Sequence, residues 1–204
     1  MTSAVPELET PPVNANSRPF VAALLAAGFL AVAGCGTTRD TPGPVAAAST
    51  APPASATAFG GTDRAWLEIT IAMDEELLPL LDLAPANAAD PALRRVAEQV
   101  RALTVAELDT LRRLHDEAGL PSANPHKGMP MPGMVTPSLV AEAATRRGPG
   151  FDRLLATSLR EHLRQGRQLA GSEQTAGVET RTKKLAASIV ENRTAALERL
   201  PENF

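Results

Sequence analysis

The stretch His126-Lys127-Gly128-Met129-Pro130-Met131-Pro132-Gly133-Met134 places one imidazole and three thioethers within nine residues. Thioethers are soft donors, and soft donors select Cu(I). They carry no proton to lose, so their affinity does not depend on deprotonation. Glycine and proline keep the segment out of a helix, and Pro132-Gly133 is a turn signal that folds Met131 and Met134 toward each other. The same residues have a plainer use. Methionine fills irregular gaps well, and a loop crossing the end of a helical bundle needs such a plug. His126, Met129, Met131 and Met134 form the first candidate metal set, and both readings of it stay open.

A second set is interior. Met73 and His162 fall on the inward faces of their helical patterns, and Glu107 lies one heptad after Val100, near the same layer. Met73, Glu107 and His162 read either as a residual polar site or as a core histidine satisfied by one carboxylate. Other polar residues need no function. His115 near a helix C-terminus suits the helix dipole when protonated. Asp74-Glu75-Glu76 reads as a solvated acidic face, and Arg94-Arg95, Arg112-Arg113 and Arg146-Arg147 as separate surface charges. No nucleophile and base stand in an activating arrangement, and no glycine-rich phosphate loop occurs, so an enzyme is not expected.

These residues need elements to position them, and the apolar periodicity predicts four long helices. The first runs from about Asp63 to Leu83, with Trp66, Ile69, Met73, Leu77 and Leu80 inward. Pro79 should kink it or end its regular ladder early, and Pro85 close it. The second starts at Asp90, a good N-cap before Pro91, and stops at Gly119 and Pro121. Its stripe is Leu93, Val96, Val100, Leu103, Leu108, Leu111 and Leu114, over roughly 40 Å. The third spans about Gly150 to Ala170 and ends at Gly171. The fourth spans about Val178 to Leu200 and ends at Pro201. A short helix begins at Thr136-Pro137 and ends by Gly148-Pro149-Gly150. The expected fold is all-α: an up-down four-helix bundle built from a duplicated two-helix unit. Asp63-Arg64-Ala65-Trp66-Leu67 and Asp152-Arg153-Leu154-Leu155 are the paired starts of the two halves.

Composition limits the partners. The formal net charge is -3, there is no tyrosine, and there is one tryptophan with five phenylalanines. Neither a basic footprint nor a base-stacking platform for nucleic acid is present. The single cysteine, Cys35, excludes an intramolecular disulfide. It follows the apolar run from Phe20 to Ala33, which is short of the roughly 20 residues of a membrane span and reads as a signal-peptide core. Leu30-Ala31-Val32-Ala33-Gly34-Cys35 resembles the lipobox of bacterial lipoproteins. The resemblance implies acylation of Cys35, a membrane anchor and an extracytoplasmic location. The expected organisation is a lipoprotein signal peptide over 1–34, a disordered Ala/Thr/Ser/Pro tether over 35–61, and a bundle over 62–204.

The bundle region also resembles a family, the ferritin-like bundle proteins of domain-of-unknown-function family 305. Four stretches carry the resemblance: Asp63 to Leu81; Asp90-Pro91-Ala92-Leu93-Arg94-Arg95-Val96-Ala97 through Ala106-Glu107-Leu108; Gly128 through Pro137; and Gly150-Phe151-Asp152-Arg153-Leu154. Some members are associated with copper handling, so the resemblance implies copper as the ligand of the Met/His loop. The chain departs from the family at its histidines. The family's two His-His pairs align with Met73-Asp74 and with His162-Leu163. Glu107 is retained from the Gln-x-x-Glu pattern, and its counterpart in the fourth helix is Ala196. The loss of three histidines favours a second expectation, a bundle without metal that serves as a structural or protein-interaction module with an envelope partner.

Overall fold

The structure is a computed structural model that describes residues 59–202 and 204. The leader, Cys35 and nearly all of the tether lie outside the described residues. Five helices follow: α1 Gly61–Asn87, α2 Pro91–Glu117, α3 Pro137–Thr145, α4 Pro149–Ala176 and α5 Thr180–Arg199. Helices α1 and α2 form one hairpin and α4 and α5 another. The hairpins pack mainly through α1 against α4, while α2 and α5 touch more sparingly. The link from α2 to α4 descends along α1 and carries α3. It is tied successively by Asn124 Nδ2 to the carbonyl of Glu68 (2.7 Å), by the Gly128 amide to the Glu76 carboxylate, and by the Gly148 amide to the carbonyl of Asn87 (2.9 Å). It crosses the length of the bundle, so α2 and α4 run parallel, as in bundles with one long crossover.

Capping fixes the helix starts. Asp90 accepts from the amides of Ala92 (2.7 Å) and Leu93 (3.0 Å), Thr136 from Leu139 (3.3 Å) and Glu179 from Thr182 (2.7 Å). A second layer joins the hairpins. Asp152, in the first turn of α4, accepts from the amides of Ala89 (3.0 Å) and Asp90 (3.1 Å) ahead of α2. Asp63, in the first turn of α1, accepts from Val178 (3.0 Å) and Glu179 (3.1 Å) ahead of α5. The offset along the chain is the same from 63 to 152 as from 90 to 179. The paired aspartates of the two halves thus do equivalent work at opposite poles.

Several expectations need correction. Helix α1 neither ends early at Pro79 nor closes at Pro85, but runs on to Asn87. Both prolines are exposed, so water can serve the carbonyls whose amide partners they lack. Helix α4 continues past Gly171 to Ala176, and Glu173 in this added stretch is buried. Leu103 is turned outward, and the inward positions beside it belong to Thr104 and Glu107. Asp74 and Glu76 are buried, so Asp74-Glu75-Glu76 is not a solvated face. The reason differs for the two: Asp74 faces Arg193 and His162 in the interior, and Glu76 lies under the link at Gly128.

The apolar interior has two main parts. One, toward the start of α1, contains Trp66, Leu67, Ile71, Leu111, Ala186 and Ile189. The other contains Leu77, Leu80, Leu93, Phe151, Leu155 and Leu159. Near the junction of the two parts each of the four long helices contributes a buried polar residue: Asp74, Glu107, His162 and Arg193. Among the described residues, no helix is long and apolar enough to cross a membrane.

Candidate functional site

The polar layer is organised by Arg193, a residue the sequence reading left out. Its side chain projects inward from α5. Nη2 lies 2.8 Å from Asp74 Oδ1 on α1, and Nη1 lies 2.7 Å from Glu107 Oε2 on α2. Asn192 Nδ2 donates to Glu107 Oε1 at 3.3 Å. Burial works against the charge of Arg193, yet the two carboxylates outweigh it and hold its pKa above the ordinary arginine value. Room for the guanidinium comes from Gly166 on α4. A Cβ there would overlap Nε of Arg193 and stand 3.0 Å from its Cδ. The signal for Arg193 was present, since it lies midway between Ile189 and Leu197 in the register of the apolar stripe. A charged residue in that register needs a buried partner.

His162 joins this layer to the link. Its Nδ1 donates to the carbonyl of Gly133 at 3.2 Å, and its Nε2 lies 3.4 Å from Asp74 Oδ1. Gly133 is pressed against α4. A Cβ on it would stand 2.7 Å from Cβ of Gln165 and 3.2 Å from Cα of His162, and its φ of +73° is one that L side chains rarely adopt. Asp74 Oδ2, His162 Nε2 and Arg193 Nε are buried without a hydrogen-bond partner. Beside them a narrow cavity, lined in part by Glu107, His162 and Arg193, offers about 10 Å³ of space to the centre of a water molecule. That is the lower limit for one bound water.

The methionines divide. Met134 and Met73 are buried and pack together with Ala72, with Met131, Ile69 and Leu169 against them. The turn between the two link methionines is closed by the Met134 amide on the carbonyl of Met131 (3.0 Å). Met129 is 45% exposed and takes no part in this cluster. His126 is half-buried, its Nδ1 has no partner, and its amide donates to Asn124 Oδ1 at 2.9 Å. The two candidate sets therefore exchange members. Met131 and Met134 of the link join Met73 of the interior, while Glu107 belongs to Arg193 and His162 to Gly133 and Asp74. Donor chemistry fits a soft ion at the thioether cluster. A hard cation at the carboxylates would have to displace the guanidinium. Among the described residues, no three of His, Cys, Asp and Glu group as a metal site.

The fold has solved relatives. A DUF305 protein from Streptomyces coelicolor matches with a TM-score of 0.61 at 19% identity, covering 68% of this chain and 89% of that one. A DUF305 fragment from Deinococcus radiodurans matches with a TM-score of 0.61 at 13% identity, covering 70% of this chain and 94% of the fragment. No curated protein matches. The family model described as Domain of unknown function (DUF305) matches residues 63–203, nearly all of the bundle just described, and the chain belongs to that family.

Proposed function

We propose that this protein is an extracytoplasmic lipoprotein, anchored through Cys35, that binds Cu(I) as a buffer or carrier. Its donors are the thioethers of Met73, Met131 and Met134. The observation that carries this reading is that two methionines of the crossing link pack on a buried methionine of α1. Soft donors on one rigid helix and one tied loop favour a soft ion without requiring deprotonation. On this reading Met129, exposed two residues before Met131 on the link, would meet an incoming ion first. The extracytoplasmic location is supported by the leader sequence, and the Streptomyces coelicolor relative is itself described as secreted.

A second reading has its own observation. Arg193 pairs both Asp74 and Glu107 with a fixed cation, which is what a bundle without metal would require. Such a protein would serve as a structural or interaction module at the envelope. A Cu(I) competition titration of the full chain against a chelator of known affinity separates the two. Stoichiometric binding that is lost when Met73, Met131 and Met134 are all replaced by Leu, with helical content unchanged, supports the copper reading. No binding by the parent chain, or equal binding by the triple variant, overturns it. Loss of membrane association in Cys35→Ser tests the anchor separately.

A further inference from the structure

At the pole where α1 begins, three acceptors converge on one hydroxyl. Thr182 Oγ1 lies 2.6 Å from Glu173 Oε1, 2.9 Å from Asp63 Oδ1 and 2.9 Å from the carbonyl of Glu179. A hydroxyl has a single proton to donate. With both carboxyl groups ionised, two of the three contacts would set oxygen against oxygen without a hydrogen between them. Asp63, Glu173 and Thr182 are all fully buried, so water cannot supply one.

The neighbours decide which carboxyl group keeps a proton. Asp63 accepts three amide hydrogens: from Gly60 on Oδ2 (2.6 Å) and from Val178 and Glu179 on Oδ1 (3.0 and 3.1 Å). Such a set favours the ionised form. Glu173 has no amide donor, and its Oε2 is buried without a partner. The backbone of Gly177 closes directly over it, since a Cβ at that position would overlap the carboxyl group. The other charged groups around it face elsewhere. Glu179 accepts from the Thr182 amide and pairs with Arg181 (2.8 Å), and Arg181 reaches on to Glu117 of α2 (2.5 Å). Lys183 of α5 contributes only a weak attraction to Glu173.

We propose that Glu173 holds a proton in the folded chain and acts as a pH-sensitive lock on the junction of α1, α4 and α5. Protonated, it donates to Thr182 Oγ1 and Thr182 donates to Asp63 Oδ1, so both contacts between the hydroxyl and a carboxyl group have a donor, and the Glu179 carbonyl is the one contact left without a hydrogen. Deprotonation leaves two buried carboxylates around one hydroxyl and favours opening of the segment 177–182, together with the Gly60 end of α1. Burial, and next the neighbouring Asp63 carboxylate, push Glu173 up to about 7 from 4.5. The folded value exceeds the unfolded one. Its stabilising effect is therefore complete below 4.5 and is lost as pH rises through about 7.

The experiment is a carboxyl-detected NMR titration of the full chain, with Glu173→Gln to assign the resonance. It is paired with amide exchange at Val178, Glu179 and Thr182 between pH 5 and 8. One glutamate resonance, missing from the variant, should titrate near pH 7. The opening constant, corrected for intrinsic exchange, should rise about tenfold per pH unit up to that point and then level off. In Glu173→Gln that rise should vanish. A Glu173 resonance that titrates near 4.5 overturns the proposal, as does a rise carried unchanged into the variant. If Glu173→Gln does not fold, Glu173→Asp supplies the assignment and the parent titration decides alone.

Discussion

Arg193 Nη1 and Glu107 Oε2 lie 2.7 Å apart in the interior, joining α5 to α2 where those helices otherwise meet sparingly. The pair gains its rigidity from Asp74 on the other side of the guanidinium. Removing one partner of a buried ion pair is far costlier than never having had it, because a charge is left without compensation. Arg193→Ala should therefore destabilise the bundle by about 3–5 kcal/mol. Adding Asp74→Leu and Glu107→Leu to Arg193→Met should recover much of that loss. Urea denaturation of the single and combined variants checks both.

Gly166 and Gly171 lie five residues apart on α4 and should respond in opposite directions. A methyl at Gly166 runs into Arg193, whereas a methyl at Gly171 meets nothing within 4 Å. Gly166→Ala should cost about 1–3 kcal/mol through overpacking. Gly171→Ala should gain roughly 0.5–1 kcal/mol from helix propensity. Thermal unfolding of the two variants in parallel is the measurement, and a stable Gly166→Ala chain would refute the placement of Arg193.

Asp63 sets the acid limit of stability. Burial tends to raise its pKa, but the nearby Glu173 carboxyl group, the amides of Glu179 and Gly60 and the Thr182 hydroxyl outweigh that and hold it below the usual 3.8. A depressed folded pKa means stabilisation that is present above the unfolded value and lost as pH falls through the folded one. Acid unfolding should therefore begin below about pH 4, and Asp63→Asn should flatten that limb. Denaturation midpoints measured from pH 2 to 5 would show it.

Gly133 tests whether the link must lie where it does. Alanine at this position is strained by φ +73° and crowded by Gln165 and His162. Gly133→Ala should lift Met131 and Met134 from Met73 and cost about 1–3 kcal/mol. On the copper reading the same variant should also bind Cu(I) more weakly than a chain with Gly128→Ala, where φ is +75° but no atom crowds the new Cβ. Equal affinities would argue against a donor set that needs the link in place.

What could be read in the residues was whatever follows from period and punctuation. The Asp90-Pro91 start, the Thr136-Pro137 start and the apolar stripes need only local rules. Pro85 misled as a stop signal because a proline's effect depends on which side of the helix faces water, and that is settled by tertiary packing. Asp74 and Arg193 escaped for a related reason. Each looks like surface alone, and only the other's presence makes its burial tolerable. The methionine cluster was half legible. The turn at Pro132-Gly133 could be read, but not that the link would descend along α1 and deliver Met131 and Met134 to Met73.

The reciprocal placement of Asp63 and Asp152 has an ancestral implication. A lone hairpin bearing such an aspartate is self-complementary about a two-fold axis, and two identical copies would finish each other's helix starts. Joining both copies in one polypeptide releases them from having to stay alike. The positions corresponding to Asp74 and Glu107 in the second copy are Leu163 and Ala196, and the position corresponding to Arg193 in the first is Thr104. A charged triad that a symmetric dimer would have to accommodate twice is thereby built once, and each half has become free to specialise at the other's expense.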